Sequence, residues 1–272
     1  MVDTVETGAG AAERLRITEI FLSLQGEAAS VGWPTVFVRL TGCPLRCGYC
    51  DTAYAFHGGQ WMSLDEILGA IAGFGVKHVC VTGGEPLAQR RCLELLQRLC
   101  DAGYLVSLET SGALDTSGVD PRVTQVLDMK TPGSGEVDRN LMANLGRVGP
   151  KDVVKFVICD RNDYEWAGDM VRSKQLSEKT QVFFSPSWGQ LEPSELAEWV
   201  LADRLGVRVR AVRLVAPGLA LKLVEAAGEV VAMESGMGVA VPSQGPPPRL
   251  WWKLDTCAII STRLSSALKS TT

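Results

Sequence analysis

No long apolar run, no surplus of one charge and only two histidines, His57 and His78, are found among the 272 residues. Each shortage excludes something. Nothing approaches the ~20 apolar residues a bilayer requires, and residues 1–14 carry neither a basic start nor an apolar segment, so no membrane span or export signal is expected. A formal net charge of -4, with 21% charged residues, supplies no basic field for nucleic acid. Eight cysteines are present, yet a chain this long builds a core without disulfide staples. Free thiols, a reducing compartment and a cytoplasmic location are therefore expected. Charge is uneven along the chain: residues 1–208 hold 20 basic and 27 acidic side chains, whereas 209–272 are net +3. The expected division is a flexible leader over 1–14, a main domain over 15–208 and an atypical segment over 209–272.

The chemistry is concentrated in Thr41-Gly42-Cys43-Pro44-Leu45-Arg46-Cys47-Gly48-Tyr49-Cys50-Asp51-Thr52. Three thiols spaced C-x3-C-x2-C can each hold one iron of a [4Fe-4S] cubane and leave the fourth iron open. Ferredoxin-type ligation needs a fourth cysteine in the run, and structural zinc needs four ligands. Buried thiols acting as small hydrophobes, or a zinc knuckle completed by His57, are the alternatives; the loop has little apolar sequence, and His57 fits no usual zinc spacing. An open iron suits a cluster that binds S-adenosylmethionine (SAM) and passes it one electron. The spacing resembles the signature of the radical SAM superfamily.

Around this loop the pattern alternates between strand and helix. Order begins at the alternating Ile17-Thr18-Glu19-Ile20-Phe21, and six strands are predicted at Thr35 to Leu40, Lys77 to Thr82, Leu105 to Glu109, Val126 to Lys130, Val153 to Ile158 and Gln181 to Ser185. Ser63-Leu64-Asp65-Glu66 reads as a capping box that starts a helix at Leu64. Leu87 to Ala102 has helical spacing, Asn162 is placed to cap a third helix, and Pro193 opens a fourth that runs to about Arg204. Six strand units with crossover helices predict an α/β partial (β/α)6 barrel of the radical SAM type, with the C-terminal tail unassigned.

Chemistry in such barrels sits at the C-terminal strand ends. Here those ends carry the cysteine loop, Thr82-Gly83-Gly84-Glu85-Pro86, Glu109-Thr110-Ser111-Gly112, Asp128-Met129-Lys130 and Ser185-Pro186. Gly84 lets backbone approach a ligand. Glu85 offers an acceptor for the methionyl amine of SAM, and Glu109, Ser111, Asp128 and Lys130 offer both charges for a zwitterion and a ribose. Tyr49 is expected against the adenine. Asp51 and Thr52 supply the oxygen ligands that magnesium prefers.

Leu24-Gln25-Gly26-Glu27, the segment from Phe37 to Thr52, Thr82 to Pro86 and Glu109 to Gly112 together resemble the 7-carboxy-7-deazaguanine synthase family over about residues 15–208. The resemblance implies a carbon–nitrogen lyase that contracts 6-carboxy-5,6,7,8-tetrahydropterin to 7-carboxy-7-deazaguanine with loss of ammonia, a step toward queuosine and other 7-deazapurines. It implies that Cys43, Cys47 and Cys50 ligate the cluster and Thr52 binds Mg2+. Tyr49, Cys50, Asp51, Gly84 and the end of the Asp128-Met129-Lys130 strand meet SAM, and Leu24, Gln25, Gly26, Arg39 and Thr82 meet the pterin. A homodimer and an electron donor such as flavodoxin or ferredoxin are implied as well. The planar fork of Arg39 suits the substrate carboxylate.

Relatives of this family usually finish with a strand reading roughly Gln-x-Gln-x-His-Lys. Here Val207-Arg208 looks like its start, but Val209-Arg210-Ala211-Val212-Arg213 follows, with no histidine. A shifted reading frame near residue 208 and a genuine appended segment are both consistent with the change. Two other functions stay open: a glycyl-radical-enzyme activase, and a catalytically impaired cluster-binding relative.

Overall fold

The computed structural model describes residues 14–27 and 30–210, with short strand segments at 212–213, 237–238 and 253–255. Nearly all of the expected leader, and most of the segment after 208, lie outside the described residues. The elements follow in order as β1 (Arg14–Leu24), β2 (Pro34–Leu40), β3 (Gln60–Ser63), α1 (Leu64–Ala72), β4 (His78–Gly83), α2 (Cys92–Asp101), β5 (Leu105–Thr110), β6 (Thr124–Met129), β7 (Val153–Ile158), α3 (Arg161–Lys174), α4 (Leu176–Lys179), β8 (Gln181–Pro186), α5 (Pro193–Asp203) and β9 (Arg208–Val209). One nine-stranded sheet runs β3, β1, β2, β4, β5, β6, β7, β8, β9. From β2 to β9 every pairing is parallel, while β1 and β3 extend one edge antiparallel. Three further segments, β10 (Val212–Arg213), β11 (Met237–Gly238) and β12 (Lys253–Asp255), pair as β10, β12, β11. Among the described residues no helix is long and apolar enough to cross a membrane.

Every strand expected from the sequence is present, and the strict alternation with helices is corrected. Neither β5 to β6 nor β6 to β7 is joined by an α-helix; a loop carries the first crossing, and three 3-10 turns with their loops carry the second. The expected helix over Leu87–Ala102 divides into a 3-10 turn, Pro86–Ala88, and α2. Gln89 stands at the break because its side-chain nitrogen donates to the backbone carbonyls of Arg16 (3.0 Å) and Thr41 (2.9 Å). The cap of α3 is Asp160, which accepts from Asp163 N at 2.9 Å, in place of Asn162. At Ser63 the capping box forms as expected, with Glu66 reaching back to the Ser63 amide. The sheet continues to Val209, one residue past the expected boundary.

Alternation along the strands sorts the side chains. Val36, Val38, Leu40, Val79, Val81, Val106 and Leu108 pack with α1 and α2. Leu127, Met129, Val154, Phe156, Ile158, Val182 and Phe184 pack with α3 and α5. The opposite face forms the inside of the barrel. Its floor is apolar, with Phe21 stacked on Phe37 at 5.2 Å and Val126, Val153 and Phe183 together. One step further along each strand the inward side chains become Arg39, Thr82, Glu109, Asp128 and Lys155. The fold thus separates a dry helix-facing layer from a charged rim.

Candidate active site

The cysteine loop leaves β2 at Leu40 and is fastened at both ends by backbone. Gly42 N donates to Ala55 O at 2.8 Å, Gly84 N to Leu40 O at 3.2 Å and Glu85 N to Gly42 O at 2.8 Å. Gly84 has to lack a side chain: a Cβ there would lie 2.3 Å from Gly42 O and 2.8 Å from Cys43 Cβ. Gly42 adopts φ +97°, a conformation that L side chains rarely adopt. Leu45 is fully buried and anchors the loop from below, while Cys43, Cys47 and Cys50 stay partly accessible, unbridged thiols. Burial pushes the Cys43 and Cys47 thiols up. Among the described residues no group of three or more His, Cys, Asp or Glu gathers closely enough for one metal ion. The thiols are spread around a space instead, with Cys43 and Cys50 near enough to push the Cys47 thiol up further.

Facing the loop, the rim consists of three bonded groups whose charges are close enough to act on one another. Thr82 Oγ1 donates to Glu109 Oε2 at 2.9 Å. Lys130 Nζ lies 3.1 Å from Asp128 Oδ2 and 5.8 Å from the centre of the Tyr49 ring. Lys155 Nζ bridges Asp128 (3.6 Å) and Glu27 (3.0 Å), and Arg210 Nη1 meets the other Glu27 oxygen at 2.6 Å. On the far side Arg39 Nε bonds Glu19 at 2.6 Å, and Glu19 also accepts from Tyr54. Glu109 is lifted above the ordinary carboxylate range by burial and then by the negative charge of Glu27. Burial alone would raise Glu27 too, but Arg210 and Lys155 outweigh it and hold its carboxyl far below that range.

Four of the expected contact residues, Glu85, Ser111, Met129 and Gln25, turn their side chains to the protein itself. Glu85 is fully buried and its carboxylate accepts from Leu87 N (3.0 Å), Thr110 Oγ1 (2.9 and 3.0 Å) and Ser111 N (2.7 Å). With its acceptor positions filled by the protein it ties the end of β4 to the end of β5, and no capacity remains for an amine. Ser111 is drawn into the same knot, because its hydroxyl donates to Glu85. Met129 projects from the outward side of β6 into the core and is fully buried, so only its backbone can meet a ligand. Gln25 is also nearly enclosed: its side-chain oxygen accepts from Glu27 N at 3.0 Å and so shapes the Leu24-Gln25-Gly26 turn. Thr52 Oγ1 donates to Asp51 Oδ1 at 2.7 Å, which puts two hard oxygens together at the edge of the loop. His57 is exposed at the end of the following turn, Ala53–Phe56.

Glu27, Lys155 and Arg210 join this rim without having been expected as contacts, whereas Ser185 lies at a strand end already expected there. Lys155 carried a readable signal, a single cation within an apolar strand, the same signal that marks Arg39. Of two surface depressions of about 600 and 570 Å³, one is lined by Arg90, Glu94 and Asp120, and the other, lined by Glu19, Gly59 and Met62, borders the rim only at Glu19.

The model of the Radical SAM superfamily matches residues 37–130. A curated 7-carboxy-7-deazaguanine synthase from Chlorobaculum tepidum is 45% identical over 199 residues, covering 72% of this chain and 90% of that protein. Its counterpart from Koribacter versatilis is 42% identical over 210 residues, covering 72% and 93%. The chain belongs to the 7-carboxy-7-deazaguanine synthase family. The crystal structure of QueE from Escherichia coli shares the fold, with a TM-score of 0.61 at 23% identity over 73% of this chain and 93% of that one. Neither an activase nor an impaired relative is favoured by these matches. As a radical SAM protein the synthase-family chain uses a [4Fe-4S] cluster and SAM, and its residues fit both. Three thiols without a fourth supply three irons. Among the described residues the buried Tyr49 hydroxyl, Asp128 Oδ1 and Ser185 Oγ have no hydrogen-bond partner. Buried polar atoms left unsatisfied cost about 1–3 kcal/mol each, a cost that a polar ligand such as SAM removes.

Proposed function

We propose that the chain contracts 6-carboxy-5,6,7,8-tetrahydropterin to 7-carboxy-7-deazaguanine with loss of ammonia, a lyase step toward queuosine and related 7-deazapurines. The observation that carries this reading is the charged rim of Arg39, Thr82, Glu109, Asp128 and Lys155 at the strand ends beside the three-thiol loop. A rim of both signs over an apolar floor suits a flat, zwitterionic heterocycle that bears a carboxylate.

The cluster and SAM, once bound and reduced, supply a carbon radical. The protein's own residues hold and orient. Cys43, Cys47 and Cys50 ligate iron, while Tyr49, Asp128, Lys130, Ser185 and the Gly84 backbone meet SAM. Arg39 is held by Glu19 through Nε, and its planar fork suits the substrate carboxylate. Leu24, Gly26 and Thr82 border the ring. Glu109, lifted by burial, is the group best suited to hold a proton inside the barrel. Asp51 and Thr52 would hold magnesium through the hard oxygen ligands it prefers. We further propose residues 15–208 as the catalytic unit, a homodimer, a small electron-transfer protein as reductant, and the cytoplasm, where thiols stay reduced.

Anaerobic turnover tests the reading: reconstituted protein with SAM, magnesium, reductant and the carboxypterin. Formation of 7-carboxy-7-deazaguanine is the expected result. Cleavage of SAM that the pterin neither stimulates nor directs to product would overturn the substrate assignment.

A further inference from the structure

Asp163 is fully buried in the first turn of α3. It touches neither the rim nor the thiols, and no step of the proposed reaction uses it. Its carboxylate nevertheless gathers three donors from two separate segments: Gly133 N at 2.7 Å, Cys159 N at 2.9 Å and Thr131 Oγ1 at 3.0 Å. Gly133 is pressed against it so closely that a Cβ would lie 2.5 Å from Asp163 Oδ2. A carboxylate fixed in this way sets the course of residues 131–136.

That segment continues directly to the cysteine loop. The Thr131 carbonyl accepts from Ser134 Oγ at 2.6 Å, and Ser134 Oγ accepts from Glu136 N at 3.0 Å. Ser134 O then accepts from Gly48 N at 3.0 Å, between Cys47 and Tyr49. The Glu136 carboxylate accepts from Arg46 N, one residue before Cys47. Two amides of the C-x3-C-x2-C loop are therefore held from outside it, and both holds depend on the 131–136 course.

We propose that Asp163 is a positioning residue for the cluster: through Ser134 and Glu136 it fixes the loop around Cys47, setting how firmly iron is retained there. The chemistry suits the task. A buried carboxylate that accepts several backbone N–H groups is a rigid hub, and it comes from α3, which packs in the core. The inference rests on the cluster reading of Cys43, Cys47 and Cys50, and one of its readouts does not need the cluster.

The test uses the full chain, with and without reconstituted cluster, comparing wild type with Asp163→Asn and Asp163→Ala. Hydrogen exchange at the Gly48 and Arg46 amides should accelerate by at least about tenfold in Asp163→Ala, with Asp163→Asn between it and wild type, while Phe156 and Phe184 amides in β7 and β8 keep their rates. Iron loss to a chelator from the loaded protein should accelerate in the same order. Unchanged exchange at Gly48 and Arg46, or acceleration shared equally by Phe156 and Phe184, would overturn the proposal; the second pattern describes a residue that only supports the fold. Should Asp163→Ala fail to fold, Ser134→Ala removes the hydroxyl that joins Thr131 to Glu136 and should loosen both Gly48 and Arg46; wild-type exchange at both would also overturn the proposal. If the cluster reading itself were wrong, wild type would retain no cluster although Gly48 still responded to Asp163.

Discussion

Replacing Glu27 by glutamine asks whether the mouth of the barrel is fastened by charge. Glu27 lies in the turn after β1, yet it pairs with Lys155 on β7 at 3.0 Å and with Arg210 just beyond β9 at 2.6 Å. One side chain thus ties the first strand's exit to the far edge of the sheet. Removing one member of a buried ion pair costs about 3–5 kcal/mol; since Glu27 keeps 23% side-chain exposure, water recovers part of this and about 2–3 kcal/mol is expected. The pH dependence has a definite sign. The folded carboxyl is held below the ordinary 4.5 by Arg210 and Lys155 against the opposing effect of burial. Its stabilisation is therefore complete above pH 4.5 and is lost as the pH falls below that value toward the folded pKa. Urea denaturation of wild type and Glu27→Gln, both in the same cluster state, should show the full gap at neutral pH and a narrower gap near about pH 3.5. A gap below about 0.5 kcal/mol at neutral pH, or one that does not narrow in acid, would refute the reasoning.

Other perturbations separate the parts of the site. Single Cys43→Ala, Cys47→Ala or Cys50→Ala variants should lose the cluster absorbance and most bound iron, yet denature near the wild-type midpoint of the cluster-free chain, because these thiols sit on a partly exposed loop. Gly84→Ala drives a Cβ into the Gly42 carbonyl and should cost about 2–3 kcal/mol and lower cluster occupancy, checked by denaturation and iron content. Arg39→Lys keeps the charge but loses the fork; KM for the pterin should rise about tenfold or more, with cleavage of SAM alone nearly unchanged. Ser63→Ala removes the capping box of α1 at about 1 kcal/mol without altering turnover.

The strands, the Ser63 cap and the convergence of the cysteine loop with Thr82, Glu109, Asp128 and Lys130 were legible in the sequence, because period-two apolar runs and strand-end polar residues are local signals. What was not legible depends on which way a side chain turns. Glu85 reads as an acceptor at a glycine-rich strand end, but Thr110 and Ser111 arrive from the neighbouring strand and consume its carboxylate. Met129 lies between two site residues, and strand alternation sends it to the opposite face. Glu27 and Arg210 are separated by 183 positions in sequence, so no local pattern announces their pairing. The crossings on either side of β6 looked helical only by analogy with the rest of the chain. Thr116 and Asn144 instead join those loops through Thr116 N donating to Asn144 Oδ1 at 3.2 Å.

The central claim is that Cys43, Cys47 and Cys50 hold three irons and leave the fourth to SAM. Electron–nuclear double resonance of the reduced, reconstituted protein with SAM labelled at its amino nitrogen and carboxylate oxygen addresses it most directly. Hyperfine coupling from both labels to the cluster is the result expected of an open iron. A cluster that forms with no coupling to either label, its fourth iron held by the protein, would contradict the account.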